Sequence, residues 1–345
     1  MKKIVIFGGT FDPIHLGHLS VYKAIKKHYS PNKFIIVPSK KPPLKPYQPF
    51  ANAQDRINMI KLLFNSYKDV MISNFEIEQK NNQISYTINT LKHFKKKYPK
   101  AQIYLVLGTD RYQDFKLWKD WKVILKLVKL IVIKRYDTKI ISDVPASFVD
   151  INPVPISSSD LRKLPQNKYL TPKIANYIAN HGLYINCQIK PLMSSKRYQH
   201  TLRVTELAMD IAKKVAPHLI IKAYIAGMYH DVGKEFSDKQ VKKMIKTWNK
   251  HKYPTLHTLH GFAGALYIKK VFNIKDREIL NAIENHVIPC DKPRILDMII
   301  YCADKLEPMR TKDDVTNRLS YIKLVKHNLK LAFTNLYKET SDKYN

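Results

Sequence analysis

Apolar positions follow two regimes along this chain, and the change falls near residue 190. In the first half, short unbroken apolar runs alternate with amphipathic stretches. Ile4-Val5-Ile6-Phe7 predicts a buried strand ending at Gly8-Gly9, and residues 18–28 then place Leu19, Tyr22 and Ile25 on one helical face. Phe34–Val37, stopped by Pro38, predicts a second strand, followed by a helix from about Asn52 with Ile57, Ile60, Leu63 and Phe64 inward. A strand at Val70–Phe75 and a helix over about 86–98 come next, then strands at Ile103–Leu107, closing on Gly108, and at Leu130–Ile133. Runs that are apolar throughout suit strands covered on both faces, and their alternation with helices predicts a parallel sheet flanked by helices. The Pro- and Lys-rich segment Ser39–Phe50 is longer than a connector needs, which suits a functional loop.

From Arg197 onward the period is helical. The expected helices are Tyr198–Val215, Ile220–His230, Asp238–His251, Leu259–Phe272, Asp276–Asn285 and Arg294–Leu306. A last tract from Val315 to about Tyr337 sets Leu319, Ile322, Val325, Leu329, Leu331 and Ala332 along one side. Ile189–Ser195, with Pro191 and two serines, is the expected linker. The pattern therefore predicts an α/β domain over residues 1–188 and an all-α domain over 193–340, with no internal repeat.

Composition narrows the class. A hydrophobic content of 45% over 345 residues is that of globular protein, and the length suggests two domains. The net charge is +32, with 32 Lys+Arg against 12 Asp+Glu in residues 1–190 and 28 against 16 in residues 191–345. The lysines are dispersed, with no basic arm, so they read as solvated faces. A positive field favours anionic nucleotides and is compatible with salt-sensitive RNA or DNA binding, so charge alone does not decide the partner, and nucleic acid is not the expected one. Three cysteines, Cys187, Cys290 and Cys302, with no CxxC pair, exclude a disulfide framework and a thiolate zinc site. Met1-Lys2-Lys3 leads straight into a strand, which predicts no signal peptide. The apolar runs are too short and too often broken by lysine to cross a bilayer. A reducing cytoplasm and no membrane partner are expected.

The first candidate chemistry is Gly8-Gly9-Thr10-Phe11-Asp12-Pro13-Ile14-His15-Leu16-Gly17-His18. Glycines after a buried strand let main-chain amides approach an anion, and the following helix presents its positive end to the same place. In an open parallel sheet that carboxyl-end crevice is where ligands bind. His15 and His18 flank Gly17 at the helix entry, where both rings can address a phosphate. This string resembles the nucleotidyltransferase superfamily, and other segments narrow the likeness to bacterial nicotinate-nucleotide adenylyltransferases over residues 1–187. These segments are Pro42-Pro43-Leu44-Lys45, Arg56, Ser85-Tyr86-Thr87-Ile88-Asn89-Thr90-Leu91, Gly108-Thr109-Asp110 with Trp118, and Ile156-Ser157-Ser158-Ser159-Asp160-Leu161-Arg162.

The resemblance implies an in-line attack by the phosphate of nicotinate mononucleotide on the α-phosphorus of ATP, with pyrophosphate leaving and Mg²⁺ accompanying the ATP. It assigns catalysis to His15 and His18. ATP contacts fall to those two and to Gly8, Gly9, Thr10, Phe11, Gly108, Asp110, Ile156, Ser157, Ser158 and Arg162. Lys45 would hold phosphate, while Tyr86, Thr87 (rather than Ser85) and Trp118 would receive the nicotinate mononucleotide. Leu44 stands where the family carries histidine, so that phosphate contact is lost or supplied elsewhere. Nicotinamide mononucleotide and pantetheine phosphate are the alternative acceptors in the superfamily; the Ser85–Leu91 segment and Trp118 argue against them.

The second candidate is a spaced set: His200, His230-Asp231 and Asp304, all on expected helices. Mixed imidazole and carboxylate donors suit iron, manganese or another divalent ion. With Lys196-Arg197-Tyr198-Gln199-His200-Thr201, His230-Asp231-Val232-Gly233-Lys234, His260-Gly261 and Ala303-Asp304-Lys305-Leu306-Glu307-Pro308-Met309-Arg310, residues 193–337 resemble the HD phosphohydrolases, and most closely the symmetrical bis(5′-nucleosyl)-tetraphosphatases. That likeness implies iron on His200, His230, Asp231 and Asp304, with Asp231 also catalytic. His260 and His286 would complete a second metal position or contact nucleotide phosphate; Arg197, Lys305 and Arg310 would bind phosphate. The implied substrate is diadenosine tetraphosphate, cleaved to two ADP by water activated on the metal. An HD domain acting on another nucleotide, or serving as a regulatory or RNA-binding module, is the alternative. The regulatory or RNA-binding reading predicts missing ligands, and all four are present.

Overall fold

Ile4, Val5, Ile6 and Phe7 are all buried, as a strand covered on both faces requires. They lie in β1 (Lys3–Gly9), the first element of a computed structural model that describes residues 1–40, 49–79, 84–134, 142–152, 154–164, 168–245, 255–310, 315 and 317–341. The chain continues through α1 (Leu16–Tyr29), β2 (Lys33–Pro38), α2 (Ala53–Phe64), β3 (Val70–Ile72), α3 (Thr87–Lys97), β4 (Gln102–Gly108), α4 (Thr109–Gln113), α5 (Trp121–Leu127), β5 (Lys129–Lys134), β6 (Ser147–Asp150) and α6 (Ser158–Lys163). The six strands form one sheet of order β3-β2-β1-β4-β5-β6, parallel throughout. Ile6 registers with Ile35 on one side and Leu105 on the other.

The chain winds outward from β1 in one direction and from β4 in the other, so the switch of direction lies between these two hydrogen-bonded neighbours. At such a point the connections leave toward opposite faces and a crevice opens at the carboxyl ends of the strands. Gly9 and Gly108, the last residues of β1 and β4, both end there. Two expectations differ at the sheet edges. The strand expected over Val70–Phe75 pairs only through Val70–Ile72. β6 was not expected, because only Val149 of its four residues is buried and an edge strand lacks the continuous apolar run.

The remaining helices are α7 (Pro172–Asn180), α8 (Ile185–Ile189), α9 (Ser195–Val215), α10 (Ile220–Tyr229), α11 (Asp238–Met244), α12 (His260–Val271), α13 (Arg277–Glu284), α14 (Ile295–Leu306), α15 (Arg318–His327) and α16 (Leu329–Ser341). The chain forms two compact units, one of Met1–Arg162 with Asn167–Ala175 and one of Lys163–Gln166 with Asn176–Asn345. The segment expected to be a linker is packed: Ile185, Ile189 and Met193 recur every four residues and lie in the helical core. Its punctuation residues have structural roles. Pro191 sits in a tight 3₁₀ turn, and Ser194 caps α9 by accepting the Arg197 N–H at 3.3 Å.

Two helical expectations are corrected. The 238–251 helix ends at Met244, and residues 246–254 lie outside those described. The single tract after Val315 is two helices broken at Asn328. Val325 and Ala332 are buried, while Leu319 is 75% and Leu331 47% exposed. No helix among the described residues is long and apolar enough to cross a membrane.

Candidate functional site

In the first unit, His15 is the N-cap of α1, in extended backbone, and its Nδ1 accepts the Gly17 N–H at 3.1 Å. His18 answers it, its Nδ1 accepting the His15 N–H at 3.2 Å. This is a capping box made of two imidazoles. A ring nitrogen that accepts carries no proton, so each ring has its N–H at Nε2. Gly17 is required by this geometry, because a Cβ there would stand 2.9 Å from the His15 ring. The two rings lie 4.0 Å apart, and Phe11 packs edge-on against His18 at 5.1 Å.

The turn between β1 and α1 is braced from three sides. The buried Asp12 carboxylate accepts the N–H groups of Phe50 (2.8 Å) and Ala51 (3.1 Å). Arg56, 2% exposed, donates to the carbonyls of Thr10 and Ser39, both at 2.8 Å. Arg162 donates to the Asp12 carbonyl (2.7 Å) and the Ser159 hydroxyl (2.9 Å), and Ser158 Oγ donates to the Pro13 carbonyl (2.9 Å). Ser158 and Arg162, which the resemblance assigns to ATP, thus direct donors to the turn carrying His15. Ser157 is exposed and bonded to Asp160, and Ile156 is half-buried. Gly108 caps α4, where Thr109 Oγ1 anchors to the Ile133 carbonyl (3.1 Å) and Asp110 is exposed.

Tyr86 and Thr87 open α3, both half-buried, with the Lys119 ammonium 4.6 Å above the Tyr86 ring. Trp118 leans on Phe115, ring centroids 5.4 Å apart, and its buried indole N–H has no hydrogen-bond partner among the described residues. Leu44 and Lys45 lie outside the described residues. One group went unnoticed in the sequence. Glu76 is buried beside the start of α3 and accepts from Thr90 Oγ1 at 2.7 Å. Burial pushes its carboxyl up to about 6, against the opposing hydrogen bonds of Thr90 and Ser85. Ser85 Oγ in turn accepts the Lys40 N–H at 3.2 Å, linking the opening of α3 to the end of β2. A lone glutamate after a short strand carries no sequence signal.

In the second unit four histidines converge on one aspartate. His230 Nδ1 faces the Gly227 carbonyl at 2.7 Å, His260 Nδ1 the His257 carbonyl at 2.7 Å, and His286 Nδ1 the Ile283 carbonyl at 2.6 Å. Each carbonyl lies three residues back. A carbonyl can only accept, so these Nδ1 atoms carry a proton and each ring turns Nε2 inward. Those Nε2 atoms stand 3.6, 3.5 and 3.4 Å from Asp231 Oδ1. His200 Nε2 lies 3.6 Å from Asp231 Oδ2 and 3.2 Å from Asp304 Oδ1.

Glycines make the convergence possible. A Cβ on Gly233 would fall 2.0 Å from the His260 carbonyl, and one on Gly261 would fall 2.7 Å from the Ile283 carbonyl. These contacts seat α12 against the turn after Asp231, and α13 against α12, which delivers His260 and His286.

The electrostatics match the donor set. Burial holds His230 down to about 3 and His260 down to about 4, so both are neutral ligands at neutral pH. Burial opposes the charged forms of Asp231 and Asp304, but surrounding cations and imidazoles outweigh it and keep both carboxyls well below their usual range. Burial also lowers His200, yet its bond to Asp304 and the nearby carboxylates leave it raised. Arg197 (2.7 Å) and Lys234 (3.1 Å) face Asp231, while Lys305 (3.2 Å) and Arg310 (3.0 Å) face Asp304. Lys234, three residues after Asp231, joins the cationic ring through this contact.

The residues fit a divalent metal. His200 and His230 Nε2 are 3.4 Å apart, and His260 and His286 Nε2 are 3.2 Å apart, pairs of lone pairs that a cation would reconcile. Asp231 Oδ1 is fully buried with no aligned hydrogen-bond donor among the described residues. Two groups can each gather donor atoms around one ion: His200, His230 and Asp231, and Asp231, His260 and His286. Asp231 is common to both, with Asp304 flanking the first.

Comparison with known proteins agrees with this division. A cytidylyltransferase-like family matches residues 6–164 and the HD domain matches residues 197–309. A Mycoplasma genitalium protein named a probable nicotinate-nucleotide adenylyltransferase/Ap4A hydrolase is 36% identical over 341 residues, spanning 96% of both chains. The Mycoplasma pneumoniae protein of the same name is 32% identical over 341 residues, 95% of this chain and 96% of that one. An Aquifex aeolicus protein named a probable nicotinate-nucleotide adenylyltransferase is 42% identical over 131 residues, 38% of this chain and 76% of its own. With an imidazole-capped turn at the switch point of a parallel sheet and a histidine–aspartate cluster among helices, matched along nearly its whole length, the chain belongs to the family of two-part nicotinate-nucleotide adenylyltransferase/Ap4A hydrolase enzymes.

Proposed function

We propose that the chain is a bifunctional enzyme of nucleotide metabolism, working in a reducing cytoplasm, with one reaction in residues 1–188 and the other in 193–340. The first transfers AMP from Mg²⁺-bound ATP to nicotinate mononucleotide. An oxygen of the mononucleotide phosphate bonds to the α-phosphorus of ATP as the bond to pyrophosphate breaks, giving deamido-NAD. The reciprocal cap of His15 and His18 carries this reading, because it presets two Nε2–H donors at the crevice where phosphates gather. In this reading Gly8, Gly9, Thr10, Phe11 and Gly108 offer main chain to ATP, and Asp110, Ile156 and Ser157 contact it. Ser158 and Arg162 hold the turn as well as facing it. Lys45 supplies phosphate charge, while Tyr86, Thr87 and Trp118 receive the pyridine nucleotide. Positioning and charge neutralisation supply the rate, and no covalent intermediate is needed.

The second reaction adds water across diadenosine tetraphosphate to give two ADP. Its carrying observation is the convergence of four imidazoles on the buried Asp231. His200, His230, Asp231 and Asp304 would hold one divalent ion, iron among the candidates; Asp231, His260 and His286 would hold a second. Such ions supply an activated water and neutralise phosphate charge. Arg197, Lys234, Lys305 and Arg310 orient the polyphosphate chain.

Product analysis of the purified chain tests both halves. With ATP and Mg²⁺, nicotinate mononucleotide should yield deamido-NAD faster than nicotinamide mononucleotide or pantetheine phosphate yields its product. Diadenosine tetraphosphate should yield ADP alone, and only with Fe²⁺ or Mn²⁺ present. Preference for another acceptor would overturn the first assignment, and no ADP in the presence of metal would overturn the second.

A further inference from the structure

We propose that Glu307 is the positioning residue of His200: it fixes the imidazole through Nδ1 so that Nε2 faces the metal position. The inference rests on the metal reading given above. The other three histidines of the cluster give Nδ1–H to carbonyls three residues back. His200 lies within the 21-residue α9, where the preceding carbonyls are engaged in the helix, and its Nδ1 meets Glu307 Oε1 instead, at 3.1 Å. Among the described residues it is the one histidine of the cluster whose Nδ1 is held by a side-chain carboxylate.

The geometry over-determines that carboxylate. Arg203, one turn along α9 from His200, donates to it through Nε (2.7 Å) and Nη2 (3.3 Å), and the Met309 N–H donates at 2.9 Å. Glu307 is 1% exposed, so these donors replace its hydration. Asp304 and Glu307 lie three residues apart at the end of α14. They take the two edges of one ring, with Asp304 Oδ1 at 3.2 Å from Nε2. A carboxylate behind a ligand imidazole sets the ring's orientation and strengthens it as a donor, typically by 10–100-fold in metal affinity.

The test uses the full chain stripped by chelator and titrated with Mn²⁺, free ion being followed by electron paramagnetic resonance. Glu307→Gln keeps an acceptor oxygen but not the charge, and Glu307→Ala keeps neither. Affinity at one site should fall in the order wild type, Gln, Ala, by about 10-fold and then up to about 100-fold. Adenylyl transfer by the same samples should stay at the wild-type rate. Glu307→Gln that melts like wild type without metal and binds Mn²⁺ as tightly would overturn the inference. So would affinity losses that merely track the metal-free melting temperature across the series. If the Glu307 variants do not fold, Arg203→Gln decides: weaker Mn²⁺ binding supports the role and unchanged binding overturns it. A wild-type chain that binds no Mn²⁺ would overturn the metal reading itself.

Discussion

Glu76 gives the sharpest pH-dependent test of the first unit. Its carboxyl is raised from 4.5 to about 6, chiefly by burial, while Thr90 and Ser85 pull the other way. The folded state therefore holds this proton more tightly than the unfolded state does. Between about pH 4.5 and 6 the native protein binds more protons, so this group's contribution to stability falls as pH rises through that window. The shift corresponds to about 2 kcal/mol of cost, fully present above about pH 7 and absent at pH 4. Glu76→Gln removes the ionisation and keeps an acceptor for Thr90. The assay is urea unfolding of the first unit from pH 4 to 8 with Trp248 replaced by Phe, which leaves Trp118 and Trp121 as reporters. Relative to wild type, the variant should gain about 2 kcal/mol between pH 4 and 7.5. The offset at pH 4, where Glu76 is protonated, isolates the effect of shape. A difference that stays flat across this range, or grows toward acid, would refute the reasoning.

Three other outcomes follow from the geometry. Gly17→Ala pushes a methyl to 2.9 Å from the His15 ring; pyrophosphate release should drop about 100-fold, and an unchanged rate would mean the ring's position is immaterial. Gly233→Ala places a Cβ 2.0 Å from the His260 carbonyl; the second unit should lose about 3 kcal/mol in calorimetry and its hydrolysis, while adenylyl transfer persists. Mn²⁺ affinity at the His200/His230 position should rise about tenfold per pH unit below the raised His200 value, because His230 is already neutral; a slope of two or more protons would contradict that assignment.

The sheet was legible where burial is two-sided. β1, β2, β4 and β5 are unbroken apolar runs, and all four stand where the periodicity places them. The sheet edges were not, since β6 buries a single residue and sits at one edge. The segment expected as a linker proved packed for a related reason. Pro and Ser mark both flexible linkers and tight caps, and only the four-residue recurrence of Ile185, Ile189 and Met193 distinguishes the packed case. In the last tract, a periodicity count cannot see the break at Asn328, because the buried Val325 and Ala332 on either side keep a helical seven-residue spacing.

Residue types at the two sites were legible, but their division of labour was not. His15, Gly17 and His18 could be read as a phosphate-facing turn; that the two rings cap each other is a main-chain geometry that no spacing reveals. His260 and His286 stand 26 residues apart, and only the close approach at Gly233 and Gly261 brings them to Asp231. That approach explains why a histidine count is uninformative while the strings His-Asp-x-Gly and His-Gly are not. Each string pairs a ligand with the glycine that lets the next helix come within reach. The same logic places Glu307 and Lys234, which were visible as letters in a motif but acquire a role only through the ring and the carboxylate they touch. A ligand donates through one atom, and the sequence names that residue; the group that aims the atom comes from another element, so only the fold names it.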